Sequence, residues 1–147
     1  MTRKKKIGLG ILGVLLIAQF IRPNRSVPTV DTALSFDEIH ASNKVATDLI
    51  KDACYDCHSY EREYPMYAEI APVSWWIQGH VNGGTQHLNY SEWGNYDSGK
   101  AEHKIEEMIE VVEDKEMPML SYMIAHNDAW INVEQRKALV DWFKTLE

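Results

Sequence analysis

Ser35-Phe36-Asp37-Glu38-Ile39-His40-Ala41-Ser42-Asn43-Lys44-Val45-Ala46-Thr47-Asp48-Leu49-Ile50-Lys51-Asp52-Ala53-Cys54-Tyr55-Asp56-Cys57-His58 is the stretch whose reading decides the fold. Ser35 stands three residues before Glu38, the spacing of a capping box. Behind it Ile39, Ala46, Leu49, Ile50 and Ala53 recur with helical period, which predicts a helix from about 36 to 53. Working outward, residues 59–100 are rich in Pro, Gly, Asn and aromatics and read as loops. A short helix is expected near Pro72 to His80, because Pro72 suits a first helical turn. Ala101 to Asp114 places Ile105, Met108, Ile109 and Val112 on one helical face, and Pro118 marks the end of that element. Asn132 caps a last helix carrying Ala138, Leu139, Trp142, Phe143 and Leu146. No segment alternates as a strand would, so the fold class is all-α.

The 147 residues suffice for one domain with a core, and a chain that is 45% hydrophobic is not globally disordered. The net charge of −7 hides a split: residues 1–25 hold six bases and no acid, and the rest holds nine bases against 22 acids. A body so acidic repels phosphate backbones, which excludes nucleic acid as a partner. Two cysteines exclude a disulfide scaffold. At the N-terminus, Arg3-Lys4-Lys5-Lys6 precedes an apolar run from Ile7 to Ile21 in which Gln19 is the one polar residue. A basic flank before an apolar run is a secretory signal or a signal anchor. Its span of roughly 22 Å is short against a hydrocarbon core of roughly 30 Å, which favours a cleaved signal peptide. The lack of a small-x-small site after the run favours an uncleaved anchor, whose Lys and Arg flanks snorkel. The chain thus divides into a signal anchor (or signal peptide) over 1–25, a linker over 26–34 and a domain over 35–147. Pro23 and Pro28 separate the membrane-anchor helix from that domain.

Cys54-Tyr55-Asp56-Cys57-His58 is Cys-x-x-Cys-His, the attachment pattern of c-type haem. Two thiols on a single turn can reach two vinyl groups along one porphyrin edge, and the next residue brings an imidazole under the iron. His58 is therefore the expected proximal ligand. A thioredoxin-like pair needs a βαβ setting with the helix after the motif, whereas here the helix precedes it. A structural zinc site needs two further ligands, and there is no third Cys. Thioether attachment in bacteria takes place outside the cytoplasm, so the expected location is the cytoplasmic membrane with the domain on its periplasmic side.

About sixty residues after His58 comes Glu116-Met117-Pro118-Met119. A thioether is a soft ligand suited to haem iron, and Pro118 stiffens the loop that would hold it, so Met117 is the expected second metal ligand. Met119 competes for that role, whereas Met66, Met108 and Met123 read as core filler. His80 and His87 flank Val81–Gln86 beside Trp75 and Trp76; with His126 they are alternative ligands, propionate partners or ordinary loop histidines. His40 and His103 read as solvated helix surface. Trp75, Trp76, Trp93, Tyr64, Tyr67, Tyr90 and Tyr96 either wall a porphyrin or form core.

With these residues in place, 35–147 resembles a small single-haem c-type cytochrome, and more closely the bacterial haem-binding-domain family. The matching features are Cys54–His58, Pro72-Val73-Ser74-Trp75-Trp76, His80-Val81, Leu88-Asn89-Tyr90-Ser91-Glu92-Trp93 and Glu116-Met117-Pro118. The resemblance implies one covalent haem c, His58 as proximal ligand, and a membrane-attached or periplasmic protein. The function expected is electron transfer to redox partner proteins, the acidic body docking on their basic patches. The alternative is a haem-based ligand sensor or peroxidase-like enzyme with an open or displaceable sixth position, in which His80, His87 or His126 acts on the distal side. A third reading is a non-haem interaction module whose motif is accidental or binds zinc.

Overall fold

The structure, a computed structural model, describes residues 2–146, and every regular element among them is helical. Helix α1 (Arg3–Ala18) buries none of its residues. It has 16 residues, and no described helix is long and apolar enough to cross a membrane. The expected anchor is thus present as a helix but is not supported as a span. The chain after it is not loose. The Gln19 side chain donates to the Ala71 carbonyl (3.0 Å) and accepts from the Ala71 amide (2.9 Å). Further on, a 3₁₀ turn at Thr32–Leu34 packs Leu34 against Gly94.

The helix expected over 36–53 is two helices: the single turn α2 (Phe36–Ile39) and α3 (Lys44–His58). Between them Ala41–Asn43 forms a 3₁₀ turn, and the Asn43 side chain accepts from the Ala46 amide (3.3 Å). Asn competes for backbone donors in this way, so it starts a helix rather than continuing one. Ser35 occupies the N-cap of α2 but makes no side-chain cap bond. The break turns Phe36 fully inward, where its ring meets Tyr90, Trp93 and Trp142 edge-on at centroid distances of 5.2, 4.8 and 5.8 Å. Helix α3 also runs five residues past its predicted end, so the Cys-x-x-Cys-His motif forms its last turns instead of following it.

Helix α4 (Val73–His87) runs past its expected end at His80, through Gly83 and Gly84 as well as Gly79. Helix α5 (Ser98–Glu113) is capped by Asp97, whose side chain accepts from the Lys100 amide (2.9 Å). The short α6 (Leu120–Ala125) was not foreseen. Helix α7 (Val133–Phe143) begins at the predicted cap, and Asn132 and Gln135 form a complete capping box. It buries Leu139, Val140 and Phe143, whereas Ala138 is exposed. The core lies where α2, α3, α5, α7 and the 3₁₀ turn Tyr90–Asn95 meet. Each large apolar side chain buried there contributes about 1.5–3 kcal/mol. Helix α4 packs on α3 and leaves a cleft there.

Candidate functional site

The helical period sorts the motif. Tyr55 faces the core, where it stacks on Tyr90 at 5.2 Å and donates to Asp37 (2.8 Å). Cys54, Cys57 and His58 face a cleft of about 610 Å³. Its second wall is α4, through Trp75, Trp76, Gly79, His80, Gly83 and His87; the third is the loop Met117-Pro118-Met119 with Tyr122 of α6. All four expected site residues, Cys54, Cys57, His58 and Met117, line this one cleft. Its volume is within the range of ligand pockets.

Close packing of α3 on α4 fixes the first wall. A Cβ on Gly84 would lie 2.6 Å from the Cys57 carbonyl oxygen, so only glycine permits the approach. The same carbonyl, an orphan acceptor at the helix C-terminus, takes a hydrogen bond from Thr85 Oγ1 (3.0 Å). His58 Nδ1 lies 3.3 Å from the Leu88 carbonyl, which suits an N–H at Nδ1 and leaves Nε2 with its lone pair. Such a carbonyl partner fixes tautomer and ring orientation in histidine ligands. Burial holds the His58 imidazole below its ordinary range, in the neutral form a metal needs. Burial pushes the Cys54 thiol up to about 12 and the Cys57 thiol to about 11. Both cysteines are free thiols, unlike the depressed pair of a redox dithiol. Among the described residues no cluster of three His, Cys, Asp or Glu is arranged to hold a metal ion, which gives the zinc reading no support.

The Met loop is held from two sides. Helix α5 ends in a Schellman motif: Lys115 adopts φ 62°, its amide donates to Val112 (3.3 Å), and the Glu116 amide donates to Val111 (3.0 Å). The Met117 amide shares that Val111 carbonyl (3.0 Å). From α7, Arg136 donates to the carbonyls of Val112 (2.6 Å) and Met117 (2.8 Å). Met117 is thereby fixed at both its backbone polar groups. It also lines an adjoining cavity of about 160 Å³ with Cys54 and His58, whereas Met119 lines another of about 110 Å³ with Tyr64, Tyr67 and His126.

The histidines divide differently from expectation. His80 and His87 line the cleft; His80 Nδ1 is engaged by the Trp76 carbonyl (2.9 Å), and His87 lies 3.3 Å from Glu107. His126 lies outside the cleft, 3.3 Å from Tyr67 Oη and stacked on Tyr122. His103 is on the surface beside Glu106 and Glu107, as expected. His40 is not: it packs at 4.5 Å on Phe36 and near Trp93 and Trp142, and burial lowers its pKa. Of the aromatic stretch, Trp75 and Trp76 line the cleft, Tyr90 and Trp93 belong to the core, and Tyr64 and Tyr67 line the smaller cavity.

The haem-binding domain family model matches residues 13–145. The chain belongs to that family. No curated protein and no solved structure matches it. The cleft of this haem-binding domain fits its ligand on independent grounds. At Gly79 and Gly83, one turn apart on the α4 wall, an added Cβ would meet nothing within 4 Å. That leaves an open backbone strip against which a flat group can lie. Sequence reasoning missed this strip, ending the short helix near His80 and so leaving Gly83 in a loop, and it missed Arg136; glycines four apart on one helical face were the available signal.

Proposed function

We propose that this haem-binding protein carries one covalent haem c and works as a one-electron carrier. We further propose that it is tethered to the bacterial cytoplasmic membrane with its domain on the periplasmic side. The observation that carries the reading is the shared cleft: two free thiols, a neutral imidazole and a thioether from distant parts of the chain line one cavity. Each thiol S–H would add across one vinyl double bond, sulfur to one carbon and hydrogen to the other, with no leaving group and no net redox change. The haem, when bound, supplies a ferric/ferrous couple. His58 offers Nε2 with its ring fixed by Leu88, and Met117 offers sulfur from a loop clamped by Arg136. Trp75 and Trp76 on the cleft wall would limit the water that reaches the bound group, which would raise its reduction potential. The basic flank and apolar run of α1 support the membrane tether, and the acidic body supports docking on basic redox partners.

Expression of the full chain with a periplasmic cytochrome maturation system tests this. The expected product retains one haem after denaturation, has low-spin spectra with a Met–iron charge-transfer band, and ignores carbon monoxide. Loss of haem on denaturation would overturn covalent attachment. A second reading, a ligand sensor or peroxidase-like enzyme, draws support from His80 and His87 on the cleft wall. High-spin haem that binds carbon monoxide at once would favour it over the carrier.

A further inference from the structure

The face from which α1 leaves the domain differs from the rest of the surface. Between Tyr64 and Ser91 the chain has one acidic residue, Glu69, and no Lys or Arg, although the 122 residues after 25 hold 22 acids. Glu69 is itself taken up by Arg22 (3.1 Å) and by Arg25. Arg25 also lies over the Tyr64 ring at 4.0 Å. Around this neutralised acid stand apolar side chains that nothing covers: Met66 is 85% exposed, Ile70 54%, Val73 40% and Trp76 55%. Phe20 and Ile21, just after α1, are 86% and 60% exposed. The two groups form one surface, because Gln19 is bonded twice to Ala71 and Trp75 Nε1 donates to the Ile21 carbonyl (2.8 Å).

We propose that this face docks on a lipid bilayer, with Met66, Ile70, Val73 and Trp76 resting beside Phe20 and Ile21 in the interfacial layer. The proposal rests on the reading of α1 as membrane-associated. A bilayer covers α1 and the face together, because the bonds from Gln19 and Trp75 make them continuous; a second copy of the chain would cover only the face. Anionic lipid repels an acidic body, so a face cleared of unpaired acids is the one that can approach it. Tryptophan at the rim suits the interface, having an apolar body and one polar tip. Trp75 and Trp76 also line the cleft, so the cleft opens beside the bilayer and redox partners reach it along the membrane surface.

The test uses the full chain reconstituted into phosphatidylcholine–phosphatidylglycerol vesicles, with hydroxyl-radical footprinting read by mass spectrometry. Met66 is the reporter, and Ile70→Glu/Val73→Glu is the variant that lifts the face; both changed side chains are exposed. Met66 oxidation is expected to be severalfold lower in the wild type than in the variant. Val45 and Val133, exposed on α3 and α7, should be labelled equally in both. Equal Met66 labelling while both proteins float with vesicles overturns the docking face and leaves the α1 reading intact. Failure of either protein to float overturns the α1 reading and the proposal with it. Protection that rises with protein-to-lipid ratio assigns the face to a second copy and also overturns it.

Discussion

Gly83 and Gly84 are adjacent on α4, and their alanine variants should behave oppositely. A Cβ at position 84 would sit 2.6 Å from the Cys57 oxygen, 3.2 Å from its carbonyl carbon and 3.3 Å from its Cβ. Two of these are backbone atoms of the last turn of α3, which cannot rotate away, so α4 must back off. Overpacking of this kind costs about 1–3 kcal/mol. Replacing a mid-helix glycine with alanine returns about 0.5–1 kcal/mol. The net expectation for Gly84→Ala is a loss of about 1–2 kcal/mol, or roughly 4–8 °C in Tm for a chain of this size. At position 83 nothing lies within 4 Å, so only the propensity gain remains, and Tm should rise by roughly 2–4 °C. Far-UV circular dichroism melts of the two variants and the wild type, all in the haem-free form so that nothing lies against the Gly83 strip, measure the difference. Displacing α4 also moves the Leu88 carbonyl off His58, so Gly84→Ala should perturb the haem spectrum as well. If Gly84→Ala melts at or above Gly83→Ala, the close α3–α4 approach that frames the cleft is wrong.

Lys115→Gly should raise stability by about 1 kcal/mol in denaturant titrations, because φ 62° at the helix end strains any residue with a side chain. Arg136→Met removes two charged donors from carbonyls of the Met loop, so it should cost about 2–3 kcal/mol and make the haem iron more responsive to carbon monoxide. Burial raises the Asp37 pKa, but bonds from Lys51, Ser35 and Tyr55 outweigh it and leave the carboxyl below 3.8. Its contribution is then complete above 3.8 and is lost as pH falls through the folded value, so Asp37→Asn should destabilise at neutral pH and match the wild type in strong acid. Met117→Ala should abolish the Met–iron charge-transfer band while Met119→Ala retains it, since Met117 shares both of its cavities with Cys54 and His58; the reverse result would make Met119 the ligand.

The all-helical class and the two later long helices were legible because their signals are local. Asn132 with Gln135, and Ile105 with Met108, Ile109 and Val112, act within one or two turns of themselves. The break at His40–Asn43 was hidden because Ile39 and Ala46 keep helical phase across it, and only the inward demand of Phe36 against Tyr90, Trp93 and Trp142 decides that the chain must turn. Helix α4 was misread for a related reason. Its glycines lower its own helix propensity by about 1 kcal/mol each. Two of them face open space in the cleft and the third, Gly84, touches Cys57, so the contact that justifies it lies 27 residues away in sequence.

The same division runs through the site. Cys54, Cys57 and His58 stand at i, i+3 and i+4 on one helical face, so their chemistry can be read without knowing what surrounds them. Met117 is different: a thioether is ordinary core material until something shows that it cannot reach the core. Here that something is the αL turn at Lys115 together with Arg136, which, nineteen residues after Met117, holds the Met117 carbonyl and so sets the loop against the cleft. A motif written within five residues can be read from sequence, whereas a candidate ligand defined by the clamp behind it needs the fold. Perturbing the clamp and leaving the sulfur in place is therefore the more searching test of this site: Arg136→Met keeps every candidate ligand and removes one of the two holds that set Met117 against the cleft.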